Sequence, residues 1–68
     1  MNPLKRLRLD AGIGRTKLSQ ETGVAYVTIQ SIEEDESHTP HVETLNKLAA
    51  FFGVRQSQLV ENGESDDN

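Results

Sequence analysis

Hydrophobic positions along the chain recur at helical rather than strand spacing. The strongest pattern lies in segment 42–52, where the apolar residues at i, i+3, i+4 and i+7 are Leu45, Leu48, Ala49 and Phe52. This spacing places all four on one face of a helix. Alternation of the kind that marks a strand is sustained only over residues 24–29. The pattern predicts an all-α domain.

Capping residues and glycines indicate where the helices begin and end. Asn2 is a favourable N-cap, and Pro3 suits the first helical position because its missing N–H has no helical partner there. Glycines close the first, second and fourth helical patterns, at Gly12, Gly23 and Gly53. The predicted helices are 3–11, 14 or 15 to 22, 26–34, 42–52 and a short fifth over 56–61. Residues 1–61 are then one domain, and 62–68 an acidic, disordered tail.

Composition narrows the class of protein. A chain of 68 residues without cysteine has room for one small domain and excludes a disulfide scaffold or a thiolate metal site. It contains no apolar run of the roughly 18–20 residues that span a bilayer, and no apolar stretch after Met1 resembles a signal peptide. These features predict a cytoplasmic protein without membrane contact.

The net charge of −4 is unevenly distributed. Residues 1–32 carry five basic against two acidic side chains, whereas 33–36 are all acidic and 61–68 hold four more acids. The amino-terminal half is therefore basic, which indicates a charged partner.

Two short helices joined by the turn Thr22-Gly23-Val24 predict a helix-turn-helix motif. Small Ser19 stands where the two helices cross most closely, and Gly23 supplies the positive φ of a sharp turn. Ile29 and Ile32 follow at the spacing that seats the second helix on the core. This joint spacing is more specific than a lone glycine between helices.

The chain from Leu4 to about Leu59 resembles the Cro/repressor-type (XRE-like) helix-turn-helix family of bacterial and phage transcriptional regulators. The matching pieces are Leu7-Arg8, Gly12-Ile13, Leu18-Ser19, Gly23-Val24, Thr28-Ile29, Ile32-Glu33, Pro40 to Leu45, Leu48-Ala49 and Phe52-Gly53-Val54. The resemblance implies a compact five-helix, lambda-repressor-like domain whose third helix enters the DNA major groove.

The resemblance also implies roles for individual residues. The outward positions of the third helix match the family's base-contacting positions: Tyr26, Val27, Gln30 and Ser31. Gln30 suits a bidentate pair with adenine, and Val27 suits a thymine methyl group. The expected phosphate contacts are Arg15, Thr16, Lys17, Thr28 and Lys5. For these side chains the alternative interpretation is an ordinary solvated helix face.

Arg8 and Glu33 match positions at which the family buries an ion pair, so they are interpreted as structural. Three departures from the family pattern bear on function. Ala25 replaces the serine or threonine that caps the third helix, and Asp35 replaces the usual glycine after it. The acidic run 33–36 stands where relatives place lysine or arginine, which weakens DNA binding unless the loop faces away.

Metal binding and catalysis are not expected. The conceivable metal ligands are His38, His41, Asp35 and Glu36, but Pro40 interrupts the helical turn that this spacing requires. The chain has no glycine-rich phosphate loop and no nucleophile with an oriented base, so no enzyme activity, cofactor or small-molecule ligand is expected.

The function predicted from the sequence is regulation of transcription, with a repressor favoured, by a homodimer on a near-palindromic operator. Apolar residues near the carboxy end serve either dimerisation or the core: Phe51, Leu59 and Val60. A phage repressor, a restriction–modification controller and an antitoxin-like autoregulator remain open. The rival hypothesis is a protein-interaction module on the same fold, whose acidic loop and tail bind a basic partner.

Overall fold

The computed structural model describes residues 2–35, 38 and 40–59. Within these ranges the chain forms four α-helices, α1 (Pro3–Asp10), α2 (Arg15–Thr22), α3 (Tyr26–Glu34) and α4 (Val42–Phe52), and no strand. The all-α prediction is confirmed, and α3 and α4 have the predicted limits. Helix α1 ends one residue earlier than predicted. The predicted tail 62–68 lies outside the described residues.

Within the predicted short fifth helix, 56–61, the structure has a three-residue 3-10 helix at Gln56–Gln58, and residues 60 and 61 lie outside the described residues. Its backbone bonds run from i to i−3, from Gln58 N–H to Arg55 O and from Leu59 N–H to Gln56 O, both at 3.0 Å. The Gln58 side chain also accepts a bond from the Arg55 N–H at 2.9 Å. These contacts tighten the segment into one 3-10 turn before Leu59 enters the core.

The core draws on every helical element. Each of the four α-helices and the end of the 3-10 segment contributes one fully buried side chain: Leu4, Leu18, Ile29, Leu48 and Leu59. Val24, Ile32 and Ala49 complete the buried cluster. No helix in the described ranges has the length and apolar character needed to cross a membrane.

The first residue described ties α1 to α3. The Asn2 side chain caps α1 by accepting a hydrogen bond from the Lys5 N–H at 3.1 Å. Its amide group donates to the Ile32 carbonyl at 2.9 Å. One side chain therefore satisfies an unpaired donor of α1 and an acceptor near the end of α3.

The turn between α2 and α3 is set by Gly23 and its neighbours. Gly23 adopts φ 80°, the left-handed conformation that glycine takes at little cost, and its N–H bonds the Ser19 carbonyl at 2.9 Å. The Thr22 hydroxyl donates to the Leu18 carbonyl at 2.7 Å and accepts from the Val24 N–H at 3.2 Å. Val24 is buried, so backbone bonds and core contact together hold the angle between the two helices.

The missing cap of α3 leads to a stability prediction. Ala25 is the N-cap residue and has the extended backbone (φ −60°, ψ 144°) that a capping serine adopts. We expect Ala25→Ser to stabilise the protein by about 1 kcal/mol, which raises Tm by about 4–8 °C in a domain of this size. Thermal melting followed by circular dichroism measures the shift. Ala50→Ser, at an exposed position inside α4, is the matched control, and an equal rise there would contradict the capping explanation.

Candidate nucleic-acid interface

The amino-terminal turn of α3 exposes two of the four predicted base-contacting residues. Tyr26 is 44% and Val27 66% exposed, although both are large and partly or wholly apolar. Gln30 and Ser31 lie one turn further along and are half-buried. Ile29, on the opposite side of the helix, is fully buried. The four predicted base-contacting residues therefore share one side of α3, with the two most accessible side chains at its start.

The start of α2 lies beside α3 and carries three of the five predicted phosphate contacts. Thr16 and Lys17 are exposed, and the first N–H groups of α2 have no acceptor within the helix. Lys17 lies 3.2 Å from Glu21, a surface ion pair on one helix face. Thr28 and Lys5 are half-buried on α3 and α1. An anion at this end of α2 would meet free amide donors and the positive end of the helix dipole.

Arg8 and Glu33 lie in direct contact between α1 and α3. Arg8 Nε is 2.7 Å from Glu33 Oε2, and Arg8 Nη2 is 3.0 Å from Oε1, which makes the pair bidentate. Both side chains are nearly or completely buried. Arg8 Nη1 also donates to the Ile13 carbonyl at 3.0 Å. The pair therefore joins α1, the α1–α2 connection and the end of α3.

Arg15 has partners that sequence reasoning missed. Its Nε lies 3.0 Å from Glu33 Oε1, and its Nη2 lies 2.6 Å from Glu34 Oε2. The side chain is only 15% exposed, so it lies along the protein rather than extending into solvent. The only sequence signal for this arrangement is the acidic run 33–36, which is far from Arg15 along the chain. In the described structure, two carboxylates therefore bind the guanidinium that was predicted to bind phosphate.

The two arginines change the ionisation of Glu33. Burial raises the pKa of this carboxyl, but hydrogen bonds and charge from Arg8 and Arg15 lower it more, and the net pKa is below its usual value. The pKa of Arg15 is raised by its hydrogen bonds to Glu34 first and to Glu33 second. Glu33 is therefore ionised at neutral pH and faces the charged guanidinium of Arg15.

A comparison with models of known protein families finds a match that includes both α2 and α3. The family model described as helix-turn-helix matches residues 4–55, well over half of the chain. The chain belongs to the Cro/repressor-type (XRE-like) helix-turn-helix family. No curated protein and no solved structure matches it in the same comparisons.

The matched segment contains the whole helix-turn-helix motif, α2, the turn at Gly23 and α3. It also contains α1 apart from its first residue, Pro3, and the whole of α4. This is a DNA-binding family that is not typically enzymatic. The family assignment therefore covers every helix from which the candidate interface is built.

The predicted dimerisation residues lie in different environments. Phe51 is 40% exposed and packs edge-on against Phe52, with ring centroids 5.0 Å apart. Leu59 is fully buried, which places it in the core and leaves no surface for a partner. Val60 lies outside the described residues. Sequence reasoning did not single out Leu9 and Val42, two further large apolar side chains that are exposed.

The loop that contains His38 and His41 is the place where the sequence makes a metal site conceivable. The His38 N–H donates to the Asp35 carbonyl at 3.0 Å, and His41 is exposed at the start of α4. Glu36, another conceivable ligand, is not among the described residues. In the part of the chain that is described, no three histidine, aspartate or glutamate side chains are grouped to hold a metal ion.

Proposed function

We propose that the protein is a sequence-specific, double-stranded DNA-binding regulator of transcription that acts as a repressor. The observation that carries the proposal is the exposed amino-terminal turn of α3, with Tyr26 and Val27 outermost, in a chain of a DNA-binding family. A recognition helix contacts base edges with such amino-terminal residues while the preceding helix lies across the phosphate backbone.

Base contacts are assigned to the outer side of α3. Gln30 donates to and accepts from adenine in the major groove, and Val27 packs on a thymine methyl group. Tyr26 and Ser31 flank them and extend the contacted surface to a base edge or a phosphate. The half-burial of Gln30 and Ser31 supports this role, because a side chain held by its neighbours loses less entropy on binding.

Phosphate contacts are assigned to the start of α2 and the residues around it. Thr16 and Lys17 are exposed there beside unbonded N–H groups, and Thr28 and Lys5 lie on the neighbouring helices. Arg15 joins them only when its contact with Glu34 is released. These contacts position the protein on the duplex and make binding salt-dependent.

The proposed assembly is a homodimer on a near-palindromic operator, since two copies of one recognition helix match two half-sites about one helical turn apart. Exposed Phe51 supports a contact between copies, and Val60 is retained as a predicted member of it. The proposed location is the cytoplasm, where a bacterial or phage operator is accessible.

The test of this function is selection of binding sites from random duplexes, followed by affinity measurements on the selected site. We expect a palindromic site and an affinity that falls steeply with salt. Gln30→Ala should relax the preference at one base pair in each half-site by about 1–3 kcal/mol. Gln20→Ala, at an exposed position on α2, is the control with unchanged preference. Unaltered preference in Gln30→Ala would contradict the assignment of Gln30.

A protein-interaction module is the second candidate, and a specific observation favours it. Two cations at the proposed DNA face are paired with acids, Lys17 with Glu21 and Arg15 with Glu33 and Glu34. Such pairing reduces the positive field of this surface. If no duplex sequence is selected and no salt-dependent binding occurs, a pull-down for a basic protein partner becomes the next experiment.

A further inference from the structure

The contact between Arg15 and the end of α3 concerns the face proposed to bind phosphate. Arg15 is the first residue of α2, and its guanidinium meets two successive carboxylates of α3. Both contacts are within hydrogen-bond distance, at 3.0 Å for Glu33 and 2.6 Å for Glu34. The end of α3 is thereby joined to the start of α2.

The two carboxylates differ in their surroundings. Glu33 is completely buried and also binds Arg8 through both oxygens, so it cannot leave without exposing a buried charge network. The Glu34 side chain is 53% exposed and bonds Arg15 through one oxygen. Exposed pairs of this kind are weak and exchange with solvent. Glu34 is therefore the partner of Arg15 that can be displaced.

A DNA phosphate and the Glu34 carboxylate have the same chemistry toward Arg15. A guanidinium binds carboxylate and phosphate oxygens with similar geometry, and the start of α2 adds unbonded N–H groups that favour an anion. The carboxylate occupies one edge of the guanidinium and also repels an approaching phosphate. Arg15 Nη2 can donate this hydrogen bond to only one of the two anions at a time.

We propose that Glu34 competes with DNA phosphate for Arg15 and thereby lowers the affinity of the protein for any duplex. The inference rests on the proposed DNA-binding function. Arg15 contributes to binding when a phosphate displaces Glu34, while Glu33 continues to hold its Nε. Glu34 is in this sense an intramolecular inhibitor of binding. It weakens the contact of Arg15 with the DNA phosphate backbone and leaves base recognition by α3 unchanged.

The first test compares Glu34→Gln with Glu43→Gln on one labelled duplex of unrelated sequence and on the selected operator. Glu43 is an exposed acid in the first turn of α4, so its variant measures the effect of removing one negative charge. We expect Glu34→Gln to bind both duplexes about fivefold more tightly than Glu43→Gln at low salt. The gain should shrink as salt rises, and the preference between the two duplexes should not change.

The second test places both substitutions in an Arg15→Gln background. If Glu34 acts by occupying Arg15, then without Arg15 the two variants, Glu34→Gln and Glu43→Gln, should bind DNA with the same affinity. An equal gain in both backgrounds would mean general repulsion and would overturn the inference. Thermal melting of every variant verifies that the compared proteins are folded.

The outcomes separate the inference from the proposed function. If the wild-type protein binds neither duplex in a salt-dependent way, the DNA-binding function fails. If it binds, and Glu34→Gln is no tighter than Glu43→Gln, the function stands and only the role of Glu34 is overturned.

Discussion

Replacing Glu33 with glutamine is expected to lower the free energy of unfolding by about 3–5 kcal/mol. The substitution keeps the size of the side chain but removes the charge that faces Arg8 and Arg15. The Arg8 side chain is 8% exposed, so water cannot replace the lost carboxylate. The total free energy of unfolding of a domain is only about 5–15 kcal/mol, so this loss is a large fraction of its stability.

Urea unfolding followed by circular dichroism measures this effect. The matched control is Glu34→Gln, the same change at the adjacent residue, whose carboxylate is half-exposed and contacts only the outer edge of Arg15. There we expect a loss below about 1 kcal/mol. Similar losses in the two variants would contradict the view that burial gives Glu33 its importance.

The pH dependence of stability follows from the same carboxyl. The pKa of Glu33 is lower in the folded protein than its usual value, because Arg8 and Arg15 outweigh the effect of burial. Its stabilising contribution is therefore present above the unfolded pKa and is lost as the pH falls through the folded pKa. We expect the wild-type free energy of unfolding to fall in acid and the Glu33→Gln variant to lack part of that fall. Urea titrations at a series of acid pH values test this difference.

Replacing Ile29 with alanine is expected to lower the free energy of unfolding by about 2–5 kcal/mol. Ile29 is fully buried in the core cluster that includes Leu4 and Leu18, so it helps to hold α3 against α1 and α2. The truncation removes apolar contacts and leaves a cavity that the helices fill only in part. DNA binding should weaken too, since the position of α3 depends on this contact.

Val27→Ala is the companion variant, because Val27 lies two residues earlier on the exposed side of the same helix. We expect its free energy of unfolding to change by no more than about 0.5 kcal/mol, while discrimination at a thymine falls. Unfolding and operator affinity are measured for both variants. A large stability loss in Val27→Ala, or none in Ile29→Ala, would contradict the placement of the two sides of α3.

The helices were predictable because their signals are local. Helices α3 and α4 begin and end at the predicted residues, since apolar spacing and a glycine after α4 act within a few residues. The short fifth helix predicted over 56–61 is described only in part, as a 3-10 turn at Gln56–Gln58, and residues 60 and 61 lie outside the described part of the chain. A pattern this short cannot nucleate an α-helix by itself.

What the sequence by itself determined is the all-α fold and the division of α3 into buried and outward positions, because periodicity places side chains on helix faces. The family followed from the resemblance of particular residue pieces, such as those around Gly23. What only the tertiary structure decided is which charges meet. Arg15 lies 18 residues from Glu33 and 19 from Glu34 along the chain, and no local pattern brings them together. Their contact depends on the packing of α2 against α3 around the turn at Gly23, and so does the electrostatic character of the proposed DNA face.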